Sequence, residues 1–150
     1  MPTLCGRFRK VFAVDLNVAA ARKLATHYRL QNLNLLEARA PGLPFHDGTF
    51  DFIVAADVLE HLRDLEPVVE ELHRVLSPQG RLVISAPSEN LFYEVGRKVF
   101  GFTKPDDHYH TPQDIESILR RRFDLRHKKF LPLNLFEAVS AFVLLSLGKP

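Results

Sequence analysis

The stretch Leu65-Glu66-Pro67-Val68-Val69-Glu70-Glu71-Leu72-His73-Arg74-Val75-Leu76-Ser77-Pro78-Gln79-Gly80-Arg81-Leu82-Val83-Ile84-Ser85-Ala86 changes its apolar period in mid-course. Up to Leu76 the apolar residues Leu65, Val68, Val69, Leu72, Val75 and Leu76 fall three and four apart, which gathers them on one helix face. Asp64 stands where a cap belongs, and Pro67 falls in the first turn, where its missing N–H is harmless. Ser77-Pro78-Gln79-Gly80 then ends the helix, because proline cannot continue it and glycine turns the chain. Arg81 to Ala86 follows as a strand closed by Pro87. A helix that feeds directly into an apolar strand is the working unit of an α/β fold.

The same alternation extends in both directions. Upstream, Phe52 to Ala56 reads as a fully buried strand and Leu33 to Leu36 as a shorter one. Pro41-Gly42 and Asp47-Gly48 punctuate the loop between them. Val11 to Asp15 is an apolar run ending in an acid, and Asn17 offers an N-cap to a helix carrying Val18, Ala21, Leu24 and Tyr28. Downstream, Thr111-Pro112-Gln113-Asp114 has the form of a capped helix start, with Ile115, Ile118, Leu119 and Phe123 facing inward. Leu125 to Leu131 and Ala141 to Leu147 are closing strands. Together they predict one α/β domain over residues 1–150, a mostly parallel sheet with helices on both faces.

Composition narrows the class. The 150 residues, 46% hydrophobic and 25% charged, suit one globular core and exclude a disordered or fibrous chain. A formal charge of +2 gives no ground for a nucleic-acid partner. Arg120, Arg121, Arg122, Arg126, Lys128 and Lys129 cluster, either as a solvated helix end and strand or as a patch for phosphate or an anionic membrane. Cys5 is the only cysteine, so neither a disulfide framework nor a cysteine-based zinc site is available. With no signal-peptide pattern, a cytoplasmic setting is expected. Phe130 to Leu147 is apolar but broken by Pro132, Asn134 and Glu137, which favours a buried strand or helix over a membrane span.

In parallel α/β sheets ligands bind beyond the carboxyl ends of the strands. Asp15 ends the first strand, where a carboxylate accepts hydrogen bonds from ribose hydroxyls or caps the following helix. His61 follows Phe52–Ala56, either as a packed or capping residue or as a general base. Asp106-Asp107-His108-Tyr109-His110 carries a His-x-His pair that would share one strand face as metal ligands, but spacing supplies no third strong ligand. Asn90 to Phe102 is rich in aromatics and, on its residues alone, reads as a short helix packed through Leu91, Val95 and Val99.

Four segments in order carry a resemblance. Phe12-Ala13-Val14-Asp15-Leu16-Asn17, Leu43-Pro44-Phe45-His46-Asp47-Gly48-Thr49-Phe50-Asp51, Asp57-Val58-Leu59-Glu60-His61-Leu62 and Arg74-Val75-Leu76-Ser77-Pro78-Gln79-Gly80-Arg81-Leu82-Val83-Ile84-Ser85 resemble successive landmarks of class I S-adenosylmethionine-dependent methyltransferases. The nearest branch includes ubiquinone-biosynthesis enzymes. The similarity is firm over Val11 to Pro87 and loose over Thr111 to Pro150.

The resemblance implies a Rossmann-like fold, S-adenosyl-L-methionine as cofactor and a small-molecule acceptor, lipid-like or aromatic. It makes Asn90 to Phe102 an apolar lid over that acceptor, the alternative to a packed helix, with peripheral membrane contact through the lid. It places Asp15 and Leu16 at the ribose, Arg39 and Ala40 at the adenine, and Ala56 and Asp57 at the methionine portion. A helix-capping role for Asp57 stays open. Arg39 departs from the usual acid, because a guanidinium donates and cannot accept from the adenine amino group; stacking remains to it. His61 falls on the acceptor side as the candidate catalytic base. The histidine-containing stretch before Thr111 is read as a substrate-side loop, without metal.

One family feature is not found. A first strand, a glycine-rich turn and a helix normally cradle the cofactor, yet none of the seven glycines stands in Gly-x-Gly spacing. Arg7-Phe8-Arg9-Lys10 looks like the tail of that helix. The expected sheet therefore lacks its central strand, between those at Val11 and Phe52, which leaves two inner edges unpaired. An N-terminally truncated fragment, a short non-catalytic protein whose sheet closes directly or through a homo-oligomer, and a different nucleotide-binding protein sharing only the ribose acid are the alternatives.

Overall fold

The computed structural model describes residues 1–88, 108–131 and 142–150, in two units taken separately, Met1–Pro44 and Phe45–Pro150. The first holds helix α1 (Pro2–Cys5), strand β1 (Val11–Asp15), helix α2 (Ala19–His27) and strand β2 (Leu33–Glu37). β1 and β2 run parallel, in register from Val11 opposite Leu33 to Asp15 opposite Glu37. Asn32 helps to set that register. Its Nδ2 donates to the carbonyls of Cys5 and Phe8 at 2.9 and 2.8 Å, and its own carbonyl accepts from Val11 N–H at 2.9 Å. Arg7 and Phe8 form the turn that closes α1, both donating to Leu4 O, so the helical segment itself ends at Cys5.

α2 starts later than expected, with Asn17 Oδ1 accepting from Ala19 N–H at 2.9 Å and Val18 in the N-cap position. Val18 is buried. Tyr28 is 54% exposed, contrary to its predicted inward place. It lies beyond the last helical turn and stacks edge-on against His27, with centroids 4.7 Å apart.

The second unit holds β3 (Phe50–Ala56), a 3-10 turn (Leu59–His61), α3 (Glu66–Val75), β4 (Leu76–Pro87), α4 (Pro112–Leu119), β5 (Asp124–Leu131) and β6 (Phe142–Gly148). The strand order is β3-β4-β6-β5. β3 and β4 are parallel, while β6 is antiparallel to both β4 and β5. The α/β class therefore stands, and the parallel pattern is closed by antiparallel strands. β1 and β3 each end a sheet, with one edge that carries no ladder among the described residues.

The core lies on one face of this sheet. Leu82, Ile84 and Leu147 are fully buried there, as are Val69 and Val75 of α3 and Ile115 and Leu119 of α4. Each such side chain contributes roughly 1.5–3 kcal/mol relative to exposure. The other face is more open: Val83 and Ser85 are half-buried and Val54 is 42% exposed. β3 is thus an end strand with its residues half-buried or exposed, not the fully buried strand predicted from its unbroken apolar run.

α3 has the predicted inner face, but Leu65 occupies the N-cap and Asp64 does not cap it. β4 starts at Leu76, not Arg81. Phe50 pairs with Leu76 and Phe52 with Arg81, so Ser77–Gly80 bulges out of the ladder. Arg74 secures the neighbouring loop, donating to Phe45 O at 2.7 Å, Asp47 Oδ1 at 2.8 Å and both oxygens of Glu71.

α4 has the predicted capping box: Thr111 Oγ1 accepts from Asp114 N–H at 3.2 Å, and Asp114 Oδ2 accepts from Thr111 N–H at 3.0 Å. The basic cluster is largely ion-paired. Arg121 bonds Glu66, Arg122 bonds Glu70 at 2.6 Å, and Glu116 takes Arg120 and Lys128. Those pairs favour a structural role over a free phosphate patch. Among the described residues no helix is long and apolar enough to cross a membrane.

Candidate functional site

In the first unit, Asp15, Leu16, Arg39 and Ala40 gather at the carboxyl end of the parallel β1–β2 pair, where α/β sheets bind ligands. Ala38 N–H donates to Asp15 O at 3.1 Å and ties the two strand ends together. Asp15 Oδ1 accepts from Asn17 N–H at 3.1 Å, an Asx turn, while no partner reaches the second oxygen among the described residues. The carboxylate is exposed, so one oxygen shapes the turn and the other faces outward. Leu16 is 72% exposed beside it. Arg39 is exposed and Ala40 half-buried. Glu37 adds a second carboxylate opposite Asp15. Sequence reasoning missed it, because its place depends on the strand register.

In the second unit, Ala56 and Asp57 stand exposed at the carboxyl end of β3. Asp57 has φ 52°, a left-handed conformation that short polar side chains tolerate better than others. Its N–H donates to Ser85 O at 3.1 Å, and Ser85 Oγ donates to Asp57 Oδ1 at 2.9 Å. The carboxylate thus ties β3 to β4. It does not cap the 3-10 turn, whose N-cap is Val58.

That turn carries Glu60 and His61. Glu60 is 1% exposed, and neither carboxylate oxygen is hydrogen-bonded to another residue among those described. Burial pushes its carboxyl above the ordinary range; Asp57 adds to the rise, while its own backbone N–H, His61 and His108 oppose it. Tyr109 N–H donates to Glu60 O at 2.8 Å and holds the 108–110 stretch against the turn. His108 meets His61 edge-on, with ring centroids 4.7 Å apart. His110 goes elsewhere, its Nε2 3.2 Å from Arg63 O.

The His-x-His pair, weighed in the sequence as metal ligands on one strand face, is therefore split, in backbone that is not strand. Ligand atoms of Glu60, His61 and His108 instead lie within 4.8 Å of one another. In the sequence, the adjacency of Glu60 and His61 and the His-x-His pair hinted at parts of this cluster, but not at their meeting. Asp106, Asp107 and the aromatic stretch 90–102 lie outside the described residues.

Comparison with known proteins agrees with this architecture. A family model described as "Methyltransferase domain" matches residues 1–84. The ubiquinone/menaquinone biosynthesis C-methyltransferase UbiE of Marinomonas sp. (strain MWYL1) is 33% identical over 99 residues, covering 61% of this chain and 39% of that protein. A SAM dependent methyltransferase from Aquifex aeolicus superposes with a TM-score of 0.75 at 21% identity, over 97% of this chain and 73% of the other. N-methyltransferase NodS from Bradyrhizobium japonicum WM9, in complex with S-adenosyl-L-homocysteine, gives 0.73 at 16% identity, over 99% and 70%. At these identities the structural likeness shows the fold. The chain spans about two fifths of the length of the first curated relatives it matches, 42% and 39%. Because the family model covers more than half of the 150 residues, the chain belongs to the methyltransferase domain family.

Proposed function

We propose that this protein transfers a methyl group from S-adenosylmethionine to a small-molecule acceptor. Within a chain of this family, the observation that carries the proposal is the Asp15 carboxylate, with one oxygen held by Asn17 N–H and the other open at a strand end. That geometry fits the nucleoside half of the cofactor: the free oxygen accepts from a ribose hydroxyl, Arg39 offers a guanidinium plane for the adenine, and Ala40 offers its N–H. When bound, the cofactor supplies a methyl group activated by a sulfonium. The protein's part is alignment and the exclusion of water. For the second unit, the family resemblance assigns Ala56 and Asp57 to the methionine portion and His61 to the proton of an acceptor hydroxyl.

The names of the relatives favour a quinone-like aromatic acceptor. A single cysteine suits a cytoplasmic setting, and a quinone-like, lipid-like acceptor is one that the protein would meet at a membrane surface. The open edges of β1 and β3 are where a strand of a second copy would add. Incubation with methyl-labelled S-adenosylmethionine and reduced hydroxynaphthoquinones tests the proposal through transfer of label. Loss of transfer on His61→Ala supports the proton-accepting role, and full retention removes it.

A second reading is a non-catalytic module that binds without turnover. Cofactor binding with no transfer to any acceptor would select it.

A further inference from the structure

We infer that Glu60, His61 and His108 form a binding site for a divalent first-row transition cation. Three observations meet there. Ligand atoms of the three side chains, one each, lie within 4.8 Å of one another. Glu60 is 1% exposed, with neither oxygen hydrogen-bonded to another residue among those described, and a buried carboxylate in that state is costly unless a cation or proton compensates it. The backbone holds the group together from two distant parts of the chain, because Tyr109 N–H bonded to Glu60 O fixes His108 beside the 3-10 turn.

The geometry lies within reach of coordination. Metal–ligand distances of about 2.0–2.2 Å place opposite ligands about 4.4 Å apart at most, so small side-chain rotations close the site. Asp57 lies near enough to act on Glu60, and it makes the site more negative while its Oδ1 stays bonded to Ser85. Two imidazoles with one carboxylate suit zinc, manganese or iron and disfavour magnesium, which takes oxygen ligands. Three protein ligands leave positions open for water or an acceptor oxygen.

In the cation-loaded protein His61 is a ligand and no longer the proton acceptor. The site lies wholly within Phe45–Pro150 and does not rest on cofactor binding or methyl transfer.

The test is equilibrium dialysis of the chelator-stripped full chain against Zn2+, Mn2+ or Mg2+, with metal analysis and circular dichroism melts of each variant. One Zn2+ or Mn2+ per chain is expected, with Mg2+ far weaker. Glu60→Gln and His108→Ala each weaken binding by about tenfold or more, while His110→Ala leaves it unchanged. Glu60→Gln removes a buried charge and keeps the shape, so a folded but non-binding variant supports the site directly. Absence of saturable binding overturns the inference. So does Mg2+ binding equal to Zn2+, unaltered affinity in folded Glu60→Gln, or an equal loss in His110→Ala, which would reveal surface histidine chelation. A protein that binds Zn2+ but no S-adenosylhomocysteine keeps this site and loses the proposed function.

Discussion

Gly80→Ala should destabilise the second unit through a single close approach. A Cβ placed on Gly80 meets Leu76 Cδ1 at 2.7 Å, Leu76 Cγ at 2.8 Å and Ser77 O at 3.0 Å. Carbon atoms rest at about 3.5–4.0 Å, so the new methyl intrudes by roughly 0.7 Å or more. Leu76 is fully buried and cannot swing into solvent, and Ser77 O is backbone. The substitution therefore costs about 1–3 kcal/mol, the range for overpacked cores, or a few degrees of melting temperature in a chain of this size. Leu76→Ala alone opens a cavity and costs about 2–5 kcal/mol. In Leu76→Ala/Gly80→Ala the methyl enters the vacated space, so the pair is less destabilised than the summed singles by about 1 kcal/mol. Urea melts of the four proteins measure this cycle. A Gly80→Ala protein as stable as the parent, or strict additivity, would refute the packing described for the bulge.

Two further outcomes concern pH. Burial, with help from Lys149 and Arg122, holds His73 below its ordinary value of 6.5, so the folded protein binds the proton more weakly than the unfolded chain. Stability is then lost as pH falls below 6.5 towards the folded value; thermal melts of His73→Phe, which keeps a ring against Phe123, should show a flatter dependence through that window. The Thr111 hydroxyl and N–H hold Asp114 below its ordinary 3.8, so the stability from the capping box is present above that pH and lost as pH falls through the folded value. Thr111→Ala should cost about 1 kcal/mol at neutral pH; an unchanged melt would show that the cap contributes nothing.

Much of the fold could be read from local pattern because its causes are local. The three-and-four spacing of Val68, Val69, Leu72 and Val75 marks α3, and Thr111-Pro112-Gln113-Asp114 marks the start of α4. Asp15 at a strand end follows from an apolar run that stops at an acid. What escaped depends on partners far along the chain. The apolar run Phe52–Ala56 cannot report that β3 ends its sheet, so Val54 emerges exposed. Neither can Leu125–Leu131 reveal that β5 is antiparallel to β6. At the candidate sites, Glu37 gains its place from the β1–β2 register, and His108 from the Tyr109–Glu60 backbone bond. Asp57 looks like a cap in one dimension; its left-handed backbone and bond to Ser85 need three.

Calorimetric titration of S-adenosylhomocysteine into the parent protein and Asp15→Asn examines the nucleoside assignment most directly. The amide keeps an oxygen for Asn17 N–H, so the turn survives while the negative charge is removed. Saturable binding by the parent, weakened about tenfold or more in Asp15→Asn, is the predicted result, since a hydrogen bond to a charged group is worth about 1.5–3 kcal/mol. Equal affinity in the two proteins, or no binding by the parent, would contradict it.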